Sequence, residues 1–409
     1  MDNRSDGLWQ GGPWEQPDAA RPAPPAVFLP PPRRPVLRLR RRRRRRWPWF
    51  VGIAALTAAF CLVTIFLGQQ LPSRFSSPGS PGESWQQERE HSTEPPDISQ
   101  AQTGTGVVVN LLPPGERALS YRQIYQKSIP SRVSVEAESS TEYSSGTGVV
   151  LTQDGYIITN AHVVAGARAV RVALHDNRVL SASLVGFDAV EDLAVLKVEA
   201  EGLTPAEFGD SYALQPGDPV AALGDPLGYQ ASITDGIVSA LDREVEVEGI
   251  TMTLIQTSAA INFGNSGGPL LNEYGQVVGI TTIKIVTDDG SAEGLGFAIP
   301  SQRVKYVVDT LIDGREVRVG VFGFTVSTLP TEEGGLRLID VNKRSDAWAK
   351  GLRTGDILTA ANGQPIASTR DLSRLKQTMG AGDAITLTYM RDGVSHQVEV
   401  ELVDADLIG

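Results

Sequence analysis

Cysteine is nearly missing from this chain: one residue of 409, Cys61, carries a thiol, which excludes an internal disulfide and any cysteine-built metal cluster. Histidine is almost as scarce, with four copies, and the Asp, Glu and His positions follow no metal-ligand spacing. No glycine-rich phosphate loop occurs, so no cofactor is expected. Basic residues run short once the N-terminus is passed. Residues 1–46 hold 12 arginines against 4 acids, which leaves 25 basic and 44 acidic residues for the remainder. That balance argues against nucleic acid as a partner of the folded part. Long apolar runs are absent, with a single exception near residue 50. What the chain does have is enough apolar side chains, 41% of its residues, to fill two or three domain cores.

The N-terminal third divides into three. Residues 1–46 are too rich in proline and arginine to offset chain entropy by burial, and are expected to be disordered and cytoplasmic. Within residues 47–68, Trp49 to Gly68 is a charge-free run of 20 residues, about the length of a membrane-spanning helix. Arg40 to Arg46 abut its start, Trp47 and Trp49 suit the headgroup region, and the positive-inside rule places everything after Gly68 outside the cell membrane. A cleaved signal peptide is the competing reading, but no A-x-A-like site follows the run. Residues 69–117 turn to Ser, Pro, Gly and Glu and read as a flexible linker.

From residue 118 to 314, short apolar runs such as "GYIITNAHVV", "LAVLKVEA", "PVAALG" and "TLIQTSAA" recur between turn residues. That spacing suits an all-β barrel or sandwich. One helix stands out in "PSQRVKYVVDTLIDG", where Val304, Val307, Val308, Leu311 and Ile312 share a face, with Ser301 as the expected N-cap and Gly314 after the end. The histidines narrow the search for a catalytic base. His91 lies in the linker, His175 in a polar hairpin and His396 in the last domain, whereas His162 follows an apolar strand in "TNAHVV". An acid in apolar surroundings, Asp192 in "EDLAVLKV", and Ser266 in the glycine-rich "INFGNSGGPL" complete the set that serine nucleophilic catalysis requires. The backbone N–H groups of Gly264, Asn265 and Ser266 are the expected oxyanion donors. Because His162 must be neutral to act as base, activity is expected to fall below about pH 6 to 7.

These stretches, together with "GTGVVLTQDGYIITNAHVV", "FGDSYALQPGDPVAALGDPLGY" and "IQTSAAINFGNSGGPLLNEYGQVVGI", resemble the HtrA (Deg-type) serine proteases followed by one PDZ domain. The likeness runs over residues 118–404, about 70% of the chain. It implies a mostly β fold: a chymotrypsin-like double β-barrel over 118–314 and a PDZ domain over 318–404, which follow the one transmembrane helix expected from the apolar run. It also implies the triad His162, Asp192, Ser266; pairing of Ile280, Thr281 and Thr282 with the substrate backbone; a small apolar specificity pocket; a homotrimer; and ATP-independent cleavage of unfolded or regulatory envelope polypeptides. Ala260, six residues before Ser266, fits a pocket that rejects basic side chains.

The departures are Ser258 where the family commonly has aspartate, Phe263 where it has proline, and "ITT" for "INT". Losing the proline relaxes the oxyanion loop, which raises two expectations: an active enzyme whose loop is ordered by a ligand or a trimer contact, or a nonproteolytic peptide-binding chaperone or scaffold. In the last domain "GLRTGDIL" and "ANGQPI" carry the PDZ likeness. There Phe322, Gly323 and Phe324 match the loop that receives a peptide C-terminus in that family, and Leu372 and Leu375 either line the groove or belong to the core.

Overall fold

The computed structural model describes residues 93–140, 142–225, 231–247, 250–262, 264–284, 295–332 and 334–408. The expected disordered segment 1–46 and membrane span 47–68 lie outside them. Among the described residues no helix is long and apolar enough to cross a membrane. They fall within one compact unit, Glu88–Gly409.

Six antiparallel strands close the first barrel: β1 (Arg132–Glu138), β2 (Tyr143–Val150), β3 (Tyr156–Thr159), β4 (Ala169–Ala173), β5 (Val179–Asp188) and β6 (Leu193–Val198), in the spatial order β1-β2-β3-β6-β5-β4. A second ring follows: β7 (Pro219–Gly224), β8 (Ser232–Val247), β9 (Ile250–Thr257), β10 (Pro269–Asn272), β11 (Val277–Lys284) and β12 (Gly296–Pro300). Its order is β11-β10-β7-β8-β9-β12, and pairing of β12 with β11 returns it to the start. Helix α1 (Tyr121–Ser128) leads into β1. It begins with a capping box in which Ser120 and Gln123 satisfy each other's backbone N–H groups, which offsets the unpaired donors of a helix start.

The one-turn α2 (Ala161–Val164) follows β3, and α3 (Ser301–Ile312) packs on β5, β6 and β11, covering both barrels. The expected face of α3 is the buried one: Val304, Val307, Val308 and Ile312 are fully covered, each contributing about 1.5–3 kcal/mol relative to exposure. Ser301, however, is its first residue and not its cap; Pro300 occupies the cap position without a side-chain bond. The Ser301 hydroxyl instead donates to the Gly209 carbonyl at 2.6 Å and accepts the Ser211 N–H at 3.0 Å. A tertiary acceptor has won over local capping.

The linker expected over 69–117 requires correction, because from Asp97 onward the chain is laid along the barrels. Ala101 donates to the Leu184 carbonyl, Leu184 to that of Ser99, and Gly104 to that of Ile312. Val109 is fully buried and its N–H donates to Asp309 at 2.7 Å, and Leu111–Leu112 pairs with Phe208–Gly209. A few apolar residues and two sheet edges outweigh the polar composition.

The last domain is a sheet of β13 (Phe324–Val326), β14 (Leu336–Val341), β15 (Ile357–Ala361), β16 (Ala384–Arg391) and β17 (Val394–Glu401), in that spatial order. Two helices, α4 (Asp346–Ala349) and α5 (Thr369–Gln377), accompany it. The end of α5 docks on the second barrel and α3. Arg303 on α3 donates to the Met379 carbonyl at 3.1 Å and Tyr212 to the Arg374 carbonyl, while Asp242 receives Gln377 at 3.1 Å and lies 3.2 Å from Arg370.

Candidate active site

Buried Val163 and Val164 hold α2 against the first barrel, so that His162 keeps partial exposure, 21% of its side chain. Asp192 lies in the turn between β5 and β6 with φ +49°, a left-handed conformation uncommon for any residue with a Cβ. That conformation is held from α2. Asn160, just ahead of the helix, donates its side-chain amide to the Asp192 carbonyl at 2.9 Å, and the His162 backbone N–H donates to Oδ1 at 3.1 Å. The imidazole Nδ1 then sits 2.9 and 3.0 Å from the two carboxylate oxygens.

Ser266 arrives from the second barrel. The turn before it is closed by the Asn265 N–H donating to the Asn262 carbonyl at 3.0 Å, with Gly264 third in the turn at φ +95°, the sign a type II turn demands there. Gly267 has φ +80°, and a Cβ on it would lie 2.1 Å from the Thr147 carbonyl, so no larger residue fits. Gly146 fills the gap between α2 and this loop: a Cβ there would meet Val163 at 2.7 Å and the Ser266 carbonyl at 2.9 Å. Thr282 joins the two halves, its hydroxyl donating to Asp192 Oδ2 and its carbonyl accepting the Ser266 hydroxyl at 3.3 Å.

Among the described residues the N–H groups of Gly264 and Ser266 have no acceptor. Asn265, the third donor expected from the sequence, is removed from that role by its bond to Asn262. Of Ile280, Thr281 and Thr282, the first two need correction as substrate-pairing residues. All three are buried; Ile280 is paired on both edges, with Pro269 and with Ile299, and Thr281 is paired with Ala298 on one edge while its N–H and carbonyl bond Gly268 and Gly267 on the other. The sequence departures find partners as well. Ser258 Oγ accepts the Ile237 N–H at 3.0 Å, and Thr281 Oγ1 donates to the carbonyls of Asn265 at 2.6 Å and Gly268 at 3.0 Å. Phe263 lies outside the described residues.

Burial alone would lower the pKa of His162, but the charge of Asp192 and its hydrogen bond outweigh that and hold it above the ordinary value. For Asp192 burial pulls upward and is outweighed by His162 and by the hydrogen bonds from His162 and Thr282, so its pKa lies below the ordinary value. Protonated His162 therefore adds stability that is complete below about pH 6.5, its ordinary value, and fades as pH rises through the raised one. Ionised Asp192 adds stability that is present above about pH 3.9 and lost as pH falls through its lowered value. A general base acts when neutral, so the acid limb of kcat/KM should have its midpoint above pH 6.5. A pH–rate profile on a chromogenic peptide checks this; a midpoint at or below 6 would remove His162 from the role.

In the last domain Phe322 and Phe324 stack with ring centroids 5.5 Å apart. Between them Gly323, φ +72°, accepts the Asn342 N–H at 2.8 Å, and a Cβ there would lie 2.1 Å from Ser345. β13 is an edge strand paired with β14. Leu372 is buried in the core of the domain and Leu375 packs at its margin. Among the described residues no cluster of His, Cys, Asp and Glu is placed to hold a metal ion.

Residues 146–280 match the trypsin-like peptidase domain family and residues 320–402 the PDZ domain family. A probable periplasmic serine endoprotease, DegP-like, of Chlamydia trachomatis is 39% identical over 285 residues, 66% of this chain and 56% of that protein. The serine protease Do-like HtrA of Lactobacillus helveticus is 36% identical over 283 residues, 64% of this chain and 68% of that one. Among solved structures, the HtrA-type protease AlgW with a tripeptide superimposes with a TM-score of 0.57 at 32% identity, covering 70% of this chain and 97% of that one. The chain spans a little over half the length of the chlamydial relatives. With a trypsin-like domain and a PDZ domain in this order and at this similarity, the chain belongs to the HtrA family of serine proteases.

Proposed function

We propose that this chain is an ATP-independent serine endopeptidase acting on unfolded or regulatory polypeptides outside the cytoplasm. The observation that carries the reading is the continuous link His162–Asp192–Thr282–Ser266 across two barrels. Ser266 attacks the scissile carbonyl, His162 takes the hydroxyl proton and returns it to the leaving amine, and Asp192 holds the imidazole tautomer and stabilises the imidazolium. Gly264 and Ser266 supply the two N–H donors for the oxyanion. The substrate backbone adds to the edge of β11 from Thr282 to Lys284, where pairing with β10 has ended. At β13 a peptide C-terminus adds a strand, its carboxylate received at Phe322–Phe324.

Anchoring through residues 47–68 and assembly into a homotrimer complete the proposal. Periplasmic naming of the relatives supports the extracytoplasmic placement. The hydrogen bonds that the Thr281 and Thr147 hydroxyls donate to the Asn265 and Gly264 carbonyls beside Ser266 favour an active enzyme over the scaffold reading. The test is to treat the full chain at pH 8 with a fluorophosphonate and map the adduct by mass spectrometry while assaying casein cleavage. Modification of Ser266 with parallel loss of cleavage is expected; a folded chain that cleaves casein with Ser266 unmodified would end the reading.

A further inference from the structure

Behind the turn that carries Gly264 and Ser266 lies a charged pair for which the proposed mechanism has no use. Arg132 at the start of β1 places Nη1 2.9 Å from Oδ2 of Asp225, which follows the end of β7. Both side chains are almost wholly buried, 8% and 5% exposed. Ser134 sits between them, donating to Asp225 Oδ2 and accepting from Arg132 at 2.6 Å. The pair therefore spans the two barrels, with Arg132 and Ser134 from the first and Asp225 from the second.

From Asp225 the connection to the oxyanion turn is one backbone group long. The Asp225 N–H donates to Thr147 Oγ1 at 3.1 Å and to the Gly264 carbonyl at 3.3 Å, and Thr147 Oγ1 itself donates to that carbonyl at 2.6 Å. A Cβ on Gly224 would lie 2.0 Å from Asn265 Oδ1, so the end of β7 is pressed directly against the turn. In a trans peptide the C=O and N–H point in opposite directions, so gripping a carbonyl from behind aims the following N–H. The Asn265 carbonyl is gripped by Thr281 and by the Gly268 N–H, which aims the Ser266 N–H forward. The Gly264 carbonyl, gripped by Thr147 and Asp225, belongs to the peptide that carries the Asn265 N–H; holding that peptide fixes the stretch of backbone between the two donors and with it the place of Gly264, which has no Cβ to restrict it.

We infer that Arg132 and Asp225 are positioning residues for the oxyanion donors of this enzyme. Stability alone does not call for them, since an apolar pair of similar volume serves a buried site at least as well as an ion pair. Nor is the pair saturated: Arg132 Nε and Asp225 Oδ1 have no hydrogen-bond partner among the described residues. What the ion pair adds is direction, a fixed place for the Asp225 backbone relative to the first barrel and hence for the carbonyl of Gly264. The inference rests on the hydrolase reading above.

The test compares wild-type full chain with Asp225→Asn and with the double variant Arg132→Met/Asp225→Leu, which removes the pair without stranding a buried charge. Active sites are counted with a fluorophosphonate, and kcat, KM and affinity for a peptide boronate are measured per site. Misaiming a donor should approach the loss seen when one is deleted, about 10²-fold. We expect kcat to fall at least 10-fold in both variants, KM to stay within twofold, and boronate affinity to fall by the same factor as kcat. If Asp225→Asn does not fold, the double variant carries the test. Wild-type kcat per site in the double variant, with or without a lowered melting temperature, overturns the proposal, as does a change confined to KM. An inert wild-type chain that the fluorophosphonate leaves unmodified would instead overturn the hydrolase reading, and this proposal with it.

Discussion

Ser266→Ala should lower kcat for casein cleavage by about 10⁶-fold, the scale on which removal of a serine nucleophile acts when it works as a unit with its base. The hydroxyl is the atom that forms the acyl bond, and nothing nearby replaces it: Thr282 faces it with a carbonyl, and its own hydroxyl is committed to Asp192. The variant should stay folded, because only one long, partly exposed hydrogen bond is lost, a change of about 1 kcal/mol or less. Gel-based cleavage at high enzyme concentration together with calorimetry checks both halves. Residual cleavage above one part in a thousand, with contaminating proteases excluded by inhibitor, would mean that another group is the nucleophile.

Asp192→Asn is expected to lower kcat by about 10⁴-fold with little change in KM. The carboxylate accepts from His162 Nδ1, the His162 backbone N–H and Thr282. An amide can present its nitrogen to Nδ1, in which case the ring proton moves to Nε2 and the base can no longer take a proton from Ser266. The pH dependence should change as well. With the negative charge gone, burial is the main influence left on the imidazole, so the acid limb should move to lower pH than in the wild type. Steady-state kinetics from pH 5 to pH 9 on both proteins checks this; an unshifted limb would show that Asp192 does not set the pKa of the base.

The residues whose roles depend on local pattern were legible in the sequence. The α3 face from Val304 to Ile312 follows from helical spacing, and the strands of both barrels from apolar runs between turns. His162, Asp192 and Ser266 stood out because residue type and chain order together left few alternatives. What stayed hidden depends on which edge of a strand is already occupied. Ile280 and Thr281 look like an accessible strand, and only the pairing of β11 with β12 on one edge, and with β10 and the glycines just ahead of it on the other, shows that their backbone is not available. Asn265 looked like a donor until its turn partner, Asn262, was in view. The Arg132–Asp225 contact joins residues 93 positions apart through two barrels, and no local periodicity announces such a pair. The stretch from Asp97 to Leu112 misled for the opposite reason, since its composition is that of a tether while its few apolar residues find sites on surfaces formed much later in the chain.

The way α5 is fastened to the rest of the molecule bears on how this seam can change over generations. Apart from the contacts to Asp242 and the Arg374 guanidinium over the Tyr212 ring, the groups of this segment that receive Tyr212 and Arg303 are main-chain oxygens of Arg374, Lys376, Gln377 and Met379. Every amino acid offers such an oxygen, so the helix end can drift in side-chain identity, and with it any preference of the neighbouring groove, without unfastening the joint. Vulnerability is concentrated on the other side, in one phenol, one guanidinium and the Asp242 carboxylate, and lineages that lose these groups would be those in which the joint is weakened.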